Sequence, residues 1–274
     1  MIQELPCTEY EKILPLFGGW DYNNRVLSLI GGYSRGMVFV DNVEAPHTAL
    51  AWIKDMFYLA GEETNAEFIT NFNTFLSDSI IPLAKEVHLR YFAVQVYPLE
   101  RWEKIINELL DSRDIKINTE WKFKFNQDFF YKKKMERPSL PPGYTIERVH
   151  EKKLRTPSYE KILENIEQSC TSVDRFLRQG TGFSLEHDNT VIASCLSVYV
   201  TGRYHEILID TYDPQQRNRG FATAVAQAYL DHCMMHGWIP LWTADEINAA
   251  SIAVAQNLGF EKVGEYPDFY FMFG

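Results

Sequence analysis

The segment His205-Glu206-Ile207-Leu208-Ile209-Asp210-Thr211-Tyr212-Asp213-Pro214-Gln215-Gln216-Arg217-Asn218-Arg219-Gly220-Phe221-Ala222 decides how this chain folds. Its apolar centre reads as a strand, and the polar stretch after Tyr212, with a proline and a glycine, cannot continue one. Beyond it Ala222, Val225, Ala226, Tyr229, Leu230 and Cys233 recur at the i, i+3, i+4 spacing of a helix with one apolar face, which Gly237 is placed to end. A strand therefore runs through a short loop into a helix. The first turn of such a helix presents N–H groups without intrahelical partners at the positive end of its dipole, an arrangement that suits an anion. Gly220 lets a phosphate approach the backbone closely, and Arg217 and Arg219 add positive charge. The same residues also fit a plain strand-to-helix turn with solvated arginines.

Outward from this segment, residues 182–187, 191–200 and 205–212 read as three strands joined by Asp188-Asn189 and Gly202-Arg203, links that suit antiparallel hairpins. Residues 144–149 read as a strand, 159–170 and 173–179 as helices, 238–244 as a strand and 248–258 as a helix stopped by Gly259. Residues 260–273 read as two strands around Pro267. The run Arg137-Pro138-Ser139-Leu140-Pro141-Pro142-Gly143 can continue neither a helix nor a central strand, so it marks a domain boundary and predicts domains at 1–137 and 143–274. In the first, residues 37–41 and 48–59 read as a hairpin, 65–80 as a helix, 88–96 as a strand, 98–110 as a helix and 121–125 as a half-buried strand. The fold class is α/β (α+β) in both parts.

The chain has 274 residues, 46% of them hydrophobic and 14% aromatic, enough to build packed cores. Its net charge of −10 disfavours a phosphate backbone as partner, so no nucleic acid is expected, and the same field attracts cationic molecules such as amines. Lys132-Lys133-Lys134 reads as a solvated strand end. Cys7, Cys170, Cys195 and Cys233 are far apart and the histidines lack ligand spacing, so neither a disulfide framework nor a metal is expected, and a reduced cytoplasmic setting is the simplest reading. No apolar run has the length of a membrane span, and Glu4, Glu9 and Glu11 stand where a signal peptide needs basic and then apolar residues. There is no G-x-x-x-x-G-K-[ST] and no G-x-G-x-x-G after a strand, which argues against the common nucleotide-binding loops.

Arg217-x-x-Gly220-x-Ala222 resembles the Q/R-x-x-G-x-G/A loop of the GNAT acyltransferase superfamily. Asn248-x-x-Ser251 followed by Asn257-Leu258-Gly259-Phe260 is similar to that superfamily's N-x-x-S/A helix ending in G-F. Asn248 also reads as a helix N-cap, Ser251 as a first-turn residue and Gly259 as a helix stop. The resemblance covers residues 144–273 and implies a mixed central sheet, flanked by helices and splayed open at an acyl-CoA site. Phe39-Val40-Asp41-Asn42, Thr48-Ala49-Leu50-Ala51-Trp52, Tyr58-Leu59-Ala60-Gly61 and Trp242-Thr243-Ala244 are similar to the two-part GNAT proteins related to zwittermicin A resistance acetyltransferases. That match implies a smaller GNAT-like N-terminal half, and this half carries no R-x-x-G-x-G/A loop.

The function implied is transfer of an acetyl group from acetyl-CoA, the co-substrate, to a primary amine of a small molecule by direct attack in a ternary complex. A non-catalytic acyl-CoA-binding sensor and a protein-lysine or N-terminal acetyltransferase are the alternatives. Thr211, Tyr212, Arg217, Asn218, Arg219, Gly220, Phe221, Ala222, Thr223, Asn248 and Ser251 are the cofactor-binding set that the resemblance implies. An amine is mostly ammonium at neutral pH and must lose a proton before it attacks, so a carboxylate base is needed. Glu206 lies on the strand entering the loop, where members of the superfamily that use a glutamate base carry it. Asp210, four residues on and on the same strand face, is the second catalytic candidate or an anchor for the ammonium. Many GNAT enzymes carry a tyrosine acid four residues before the glycine at Gly259, and here that position is Ala255. Tyr229, Tyr266, Tyr270 or water are the candidates for its role. Cys195 and Cys233 read as core residues rather than nucleophiles.

Overall fold

A computed structural model of the chain describes residues 1–19, 23–110, 113–134 and 140–274. They form two compact units, Met1–Glu120 with Tyr266–Gly274, and Trp121–Glu265. This division differs from the one predicted at the proline run: residues 121–125 group with the second unit, and the last nine residues return to the first. Arg137, Pro138 and Ser139 of the predicted boundary lie outside the described residues. No helix among the described residues is long and apolar enough to cross a membrane.

The first unit contains β1 (Gln3–Glu4), a 3-10 segment (Cys7–Phe17), α1 (Asn24–Ile30), β2 (Met37–Val40), β3 (Thr48–Ile53) and β4 (Met56–Gly61). α2 (Ala66–Phe75), α3 (Ile81–Glu86), β5 (Tyr91–Tyr97), α4 (Leu99–Trp102) and α5 (Ile106–Leu109) follow. The sequence 48–59, read as one strand, is two, because Lys54 adopts φ 57° and turns the chain between β3 and β4. The helix read as ending at Ile80 continues to Glu86. Pro82 cannot donate to the turn before it, and a π-helical turn (Leu76–Ile80) leads into α3, with Pro82 in its first turn. The strands lie in the order β1-β2-β3-β4-β5-β12, where β12 is Phe260–Met272 and pairs antiparallel to β5 over its last residues. The two strands predicted around Pro267 are thus one, with Pro267 placed just before the stretch that pairs with β5 from Phe269 onward. Phe57, Phe68, Phe72, Phe92, Trp102 and Phe271 fill this unit's core. A buried polar network crosses it: Arg25 Nη2 donates to Glu120 at 2.5 Å, and Gln95 Nε2 donates to Glu120 at 2.9 Å and to Asp268 at 2.7 Å.

The second unit takes in the end of β6 (Lys116–Phe125), then α6 (Gln127–Lys134), β7 (Tyr144–Arg148), α7 (Glu151–Leu154), α8 (Glu160–Ser169) and α9 (Val173–Gln179). β8 (Gly182–His187), β9 (Thr190–Thr201), β10 (Tyr204–Thr211), α10 (Phe221–Met235), β11 (Ile239–Asp245) and α11 (Ala249–Asn257) complete it. The lysine triplet read as a strand end closes α6 instead. Strand order is β6-β11-β10-β9-β8-β7, antiparallel from β7 to β10 and parallel between β10 and β11. The turn residues Asp188 and Asn189 both have positive φ, the conformation a two-residue hairpin link requires. On one face of the sheet Val225, Ala226, Tyr229 and Leu230 of α10 pack with Ile207 and Ile209 of β10. On β8, Glu186 accepts Lys153 Nζ at 2.8 Å and also the Tyr159 hydroxyl, while Ser184 Oγ lies 2.6 Å from the Tyr159 hydroxyl. This cluster fixes the residue that leads into α8.

The far end of α10 is built from stacked rings. His205 lies 4.1 Å from Trp238, and His232 lies 4.0 Å from His236 and 5.5 Å from Trp238, centroid to centroid. His205 Nδ1 meets Ser197 Oγ at 3.1 Å, whereas Nε2 of His205 and of His232 has no partner among the described residues. Burial pushes both imidazoles down to about 4, helped by the neighbouring cationic groups, His232 for the first, His236 and Arg148 for the second. The unfolded chain takes up these protons near 6.5 and the folded chain only near 4, so the stability they confer is complete above about pH 6.5 and lost progressively on acidification to about pH 4. Its magnitude is on the order of a few kcal/mol. His232→Phe should therefore flatten the fall in unfolding free energy between about pH 6.5 and about pH 4 relative to the parent. Denaturant titrations with parallel pH profiles for the two proteins would show that His232 does not titrate this way.

Gly259, just past α11, has φ 90°, and a Cβ there would stand 2.9 Å from Phe129 Cδ1 and 3.0 Å from the carbonyl oxygen of Asn126. The same turn accepts the Asn126 N–H at 2.7 Å. Gly259→Ala should cost about 2 kcal/mol through backbone strain and overlap, lowering Tm by roughly 4 to 8 °C. Calorimetry placing the variant within about 1 °C of the parent would contradict this.

Candidate active site

The site begins with a backbone irregularity. β10 pairs with β9 along its whole length, but the register slips between Glu206, opposite Tyr199, and Ile207, opposite Ser197. Such a bulge increases local twist. On its other edge β10 pairs with β11 only through Tyr204, His205 and Glu206, opposite Ile239, Pro240 and Leu241. Beyond Glu206 the parallel ladder ends, which is the opening that the family resemblance implied. Alternation then sorts the side chains: Ile207 and Ile209 enter the α10 core, and Glu206 and Asp210 take the opposite face.

Glu206 is only 4% exposed, and Thr243 Oγ1 of β11 donates to its Oε1 at 3.2 Å. Asp210 Oδ2 accepts the side-chain amide of Asn165, on α8, at 3.0 Å. The Tyr212 hydroxyl meets Ser194 Oγ at 2.7 Å, and Lys161 Nζ stands 5.5 Å from its ring centre. Burial, with Asp210 nearby, pushes the Tyr212 phenol up to about 12, too high for an efficient proton donor at neutral pH.

The loop leaves β10 at Thr211 and makes one 3-10 turn (Pro214–Gln216), capped by Asp213, whose carboxylate accepts the Gln215 N–H at 2.9 Å. Asn218 and Gly220 then adopt φ 60° and 77°. Alternation of left-handed with ordinary residues turns successive N–H groups toward a common point and forms an anion-binding concavity. Gly220 is the N-cap of α10 and brings no side chain to its first turn, and nothing lies within 4 Å of where a Cβ would stand. The N–H groups of Phe221, Ala222 and Thr223 thus open a fifteen-residue helix with no capping side chain. The two arginines differ. Arg219 is spoken for: its guanidinium lies 4.8 Å from the Phe221 ring centre, Nη1 donates to the Tyr144 hydroxyl at 3.3 Å, and it also bonds Gln216. Arg217 is exposed and without a partner among the described residues.

Asn248 is the N-cap of α11, its Oδ1 accepting the Ser251 N–H at 3.1 Å, and Ser251 Oγ accepts the indole N–H of Trp242 at 3.0 Å. Both predicted cofactor contacts therefore have structural duties as well. Ala255 is fully buried in the core. Tyr229 sits on the α10 side with its hydroxyl 2.7 Å from Ser197 Oγ, away from the Glu206 face, and Tyr266 and Tyr270 belong to the first unit. Cys195 and Cys233 are inaccessible; burial pushes the first thiol well up and the second to about 12, so neither is a nucleophile. Sequence reasoning assigned no role to Thr243 or Asn165. The first was legible, since Trp242 in the core obliges the next residue to face the other way, but Asn165 is one of several polar residues around Ile162 and Ile166 with no signal of its own.

The chain matches the family model described as GNAT acetyltransferase over residues 14–269. It is 26% identical, over 98% of both chains, to an uncharacterized N-acetyltransferase of Bacillus subtilis (strain 168), YdfB. Among solved structures it is similar to a GCN5-related N-acetyltransferase-like protein from Streptococcus suis 89/1591, with a TM-score of 0.68, 20% identity and coverage of 97% of this chain and 99% of that one. It is also similar to a tandem GNAT protein from the clavulanic acid biosynthesis pathway, with a TM-score of 0.62, 12% identity and coverage of 100% and 99%. The parted strands, the glycine-led helix and the length of the family match together place this chain in the GNAT acetyltransferase family.

Proposed function

We propose that the protein transfers an acetyl group from acetyl-CoA to a primary amine of a small molecule, by direct attack in a ternary complex. The observation that carries this reading is the parting of β10 from β11 beside Glu206, leading straight into the uncapped start of α10. The residues fit the pyrophosphate of the co-substrate. N–H groups from Asn218 to Ala222 converge at a glycine with open space, Arg217 supplies a free positive charge, and Arg219 stiffens the loop by stacking on Phe221.

Glu206 takes the proton from the acceptor ammonium, directly or through water. The freed nitrogen lone pair forms a bond to the thioester carbonyl carbon, the adduct nitrogen gives its second proton to solvent, the carbon–sulfur bond breaks, and the thiolate departs with the electron pair to leave a neutral amide. With Ala255 where a tyrosine acid would stand, solvent protonates that thiolate, whose intrinsic pKa near 8 to 9 makes it a fair leaving group unaided. A β10 amide on the edge that β11 leaves beyond Glu206 would polarise the carbonyl. Asp210, steadied by Asn165, offers a carboxylate on the same face to anchor a cationic acceptor, and the net charge of −10 favours the encounter.

Acetyl-CoA or CoA at about 100 times its dissociation constant should stabilise the protein by about 2.7 kcal/mol, a rise in Tm of roughly 5 to 10 °C, and NAD should not. Gly220→Ala, whose methyl would occupy the approach of the phosphate, should weaken acetyl-CoA binding roughly tenfold or more. Glu206→Gln should keep the thermal shift and lose roughly a hundredfold or more in thiol release with amine acceptors. A cooperatively unfolding protein that no CoA species stabilises would overturn the co-substrate assignment, and undiminished turnover in Glu206→Gln would remove the base.

A further inference from the structure

Trp242-Thr243-Ala244 sits on β11 at the point where that strand leaves β10. The last parallel pair is Glu206 beside Leu241, and residues so paired point to the same face. Thr243, two residues beyond Leu241, shares that face. Trp242 points the other way, locked by its hydrogen bond to Ser251 and by its packing on Phe260 at 5.1 Å. The backbone of β11 is thereby fixed, and the β-branched side chain of Thr243 has little freedom about its first torsion. Its hydroxyl reaches back across the widening gap to Glu206 Oε1 at 3.2 Å.

We propose that Thr243 is a positioning residue for Glu206: its hydroxyl spans the mouth of the strand opening and holds the carboxylate in one rotamer. This deepens the reading of Glu206 as the base and rests on it. The hydroxyl itself touches no reacting atom. A threonine suits the task because it supplies a donor of fixed direction, and a serine supplies the same donor with less restraint. A valine keeps the shape and withdraws the hydrogen bond.

The test is a carbon-13 NMR titration of the glutamate carboxyl carbons in the full-length protein, with Glu206 assigned as the resonance missing from Glu206→Gln. Thr243→Val should titrate this carboxyl at higher pH than the unaltered protein, by up to roughly one unit, because the charged form has lost a donor. Thr243→Ser should return it to the parental value. Asp210, on the same face, is common to all these proteins and cancels in the comparison. A Glu206 titration in Thr243→Val that coincides with the parent overturns the proposal. The base assignment is judged separately from the acid limb of acetyl transfer to a primary amine probe. A limb that follows the carboxyl titration through the series supports both. A titration that moves while the limb stays put leaves the hydrogen bond standing and removes Glu206 as base.

Discussion

The second unit depends on two neighbouring parallel strands that begin together and then separate. Three residue pairs hold β10 against β11, and that ladder ends at Glu206, where the pairing of β10 with β9 also slips past one extra residue of β9, Val198. Separation would leave two unsupported strand edges, and each strand instead has its own support. Ile207 and Ile209 anchor β10 to α10, while Trp242 anchors β11 to α11 through Ser251 and packs on Phe260 at the start of β12. The opening is thus enforced by packing on both sides, and the helix that secures β10 is the one whose first turn presents the uncapped N–H groups. Site and scaffold are the same construction, so the strands cannot close without dislodging a helix from the core.

The Glu206–Thr243 contact follows from that geometry. In a continuous ladder, side chains two residues apart on adjacent parallel strands lie along the sheet and contact only diagonally. Where the strands part, the hydroxyl and the carboxylate are left facing one another at the rim. A base placed there is shielded on the sheet side and approached from the opening, where its proton donor would arrive. Burial of a carboxylate is costly unless donors meet it, and the Thr243 hydroxyl is one such donor.

Much of this was legible in the residues, and the failures have specific causes. The hairpins around β8, β9 and β10 announced themselves through Asp188-Asn189 and Gly202, because those residues tolerate positive φ, which all three adopt. Lys54 adopts φ 57° with no such chemistry, so the turn between β3 and β4 was invisible and two strands read as one. The helix read over 65–80 continues past Pro82, which sits in the first turn of α3 where no donor is missed, and Pro267, read as a break between two strands, lies inside β12 just before the pairing with β5 begins. In the loop the sequence offered two equivalent arginines. Only the stack of Arg219 on Tyr144 and Phe221, partners far apart in the chain, distinguishes the one that shapes the loop from the one left to meet an anion. Asn248 and Ser251 were ambiguous between cap and ligand contact, and the structure shows the cap in use without spending Ser251's proton.

The first unit shows what the same plan looks like when closed. Its parallel pair, β4 and β5, stays in register from Phe57 beside Val94 to Ala60 beside Tyr97, nearly to the end of β4, so no gap forms. The helix that follows is capped from within, Asn65 Oδ1 taking the Phe68 N–H at 3.1 Å. A carboxylate also stands at that helix start: Asp41 accepts the N–H groups of His47 and Thr48, each at 3.0 Å, and the Asn65 amide at 2.9 Å. Burial acts to raise Asp41, but the hydrogen bonds from Thr48, His47 and Asn65 outweigh it and hold the group below its ordinary value, hence ionised at neutral pH. A phosphate approaching there would find its N–H donor taken and a fixed negative charge in front of it. Closure of the strands, a side-chain cap and an aspartate each oppose a pyrophosphate at this position, and α10 has none of the three.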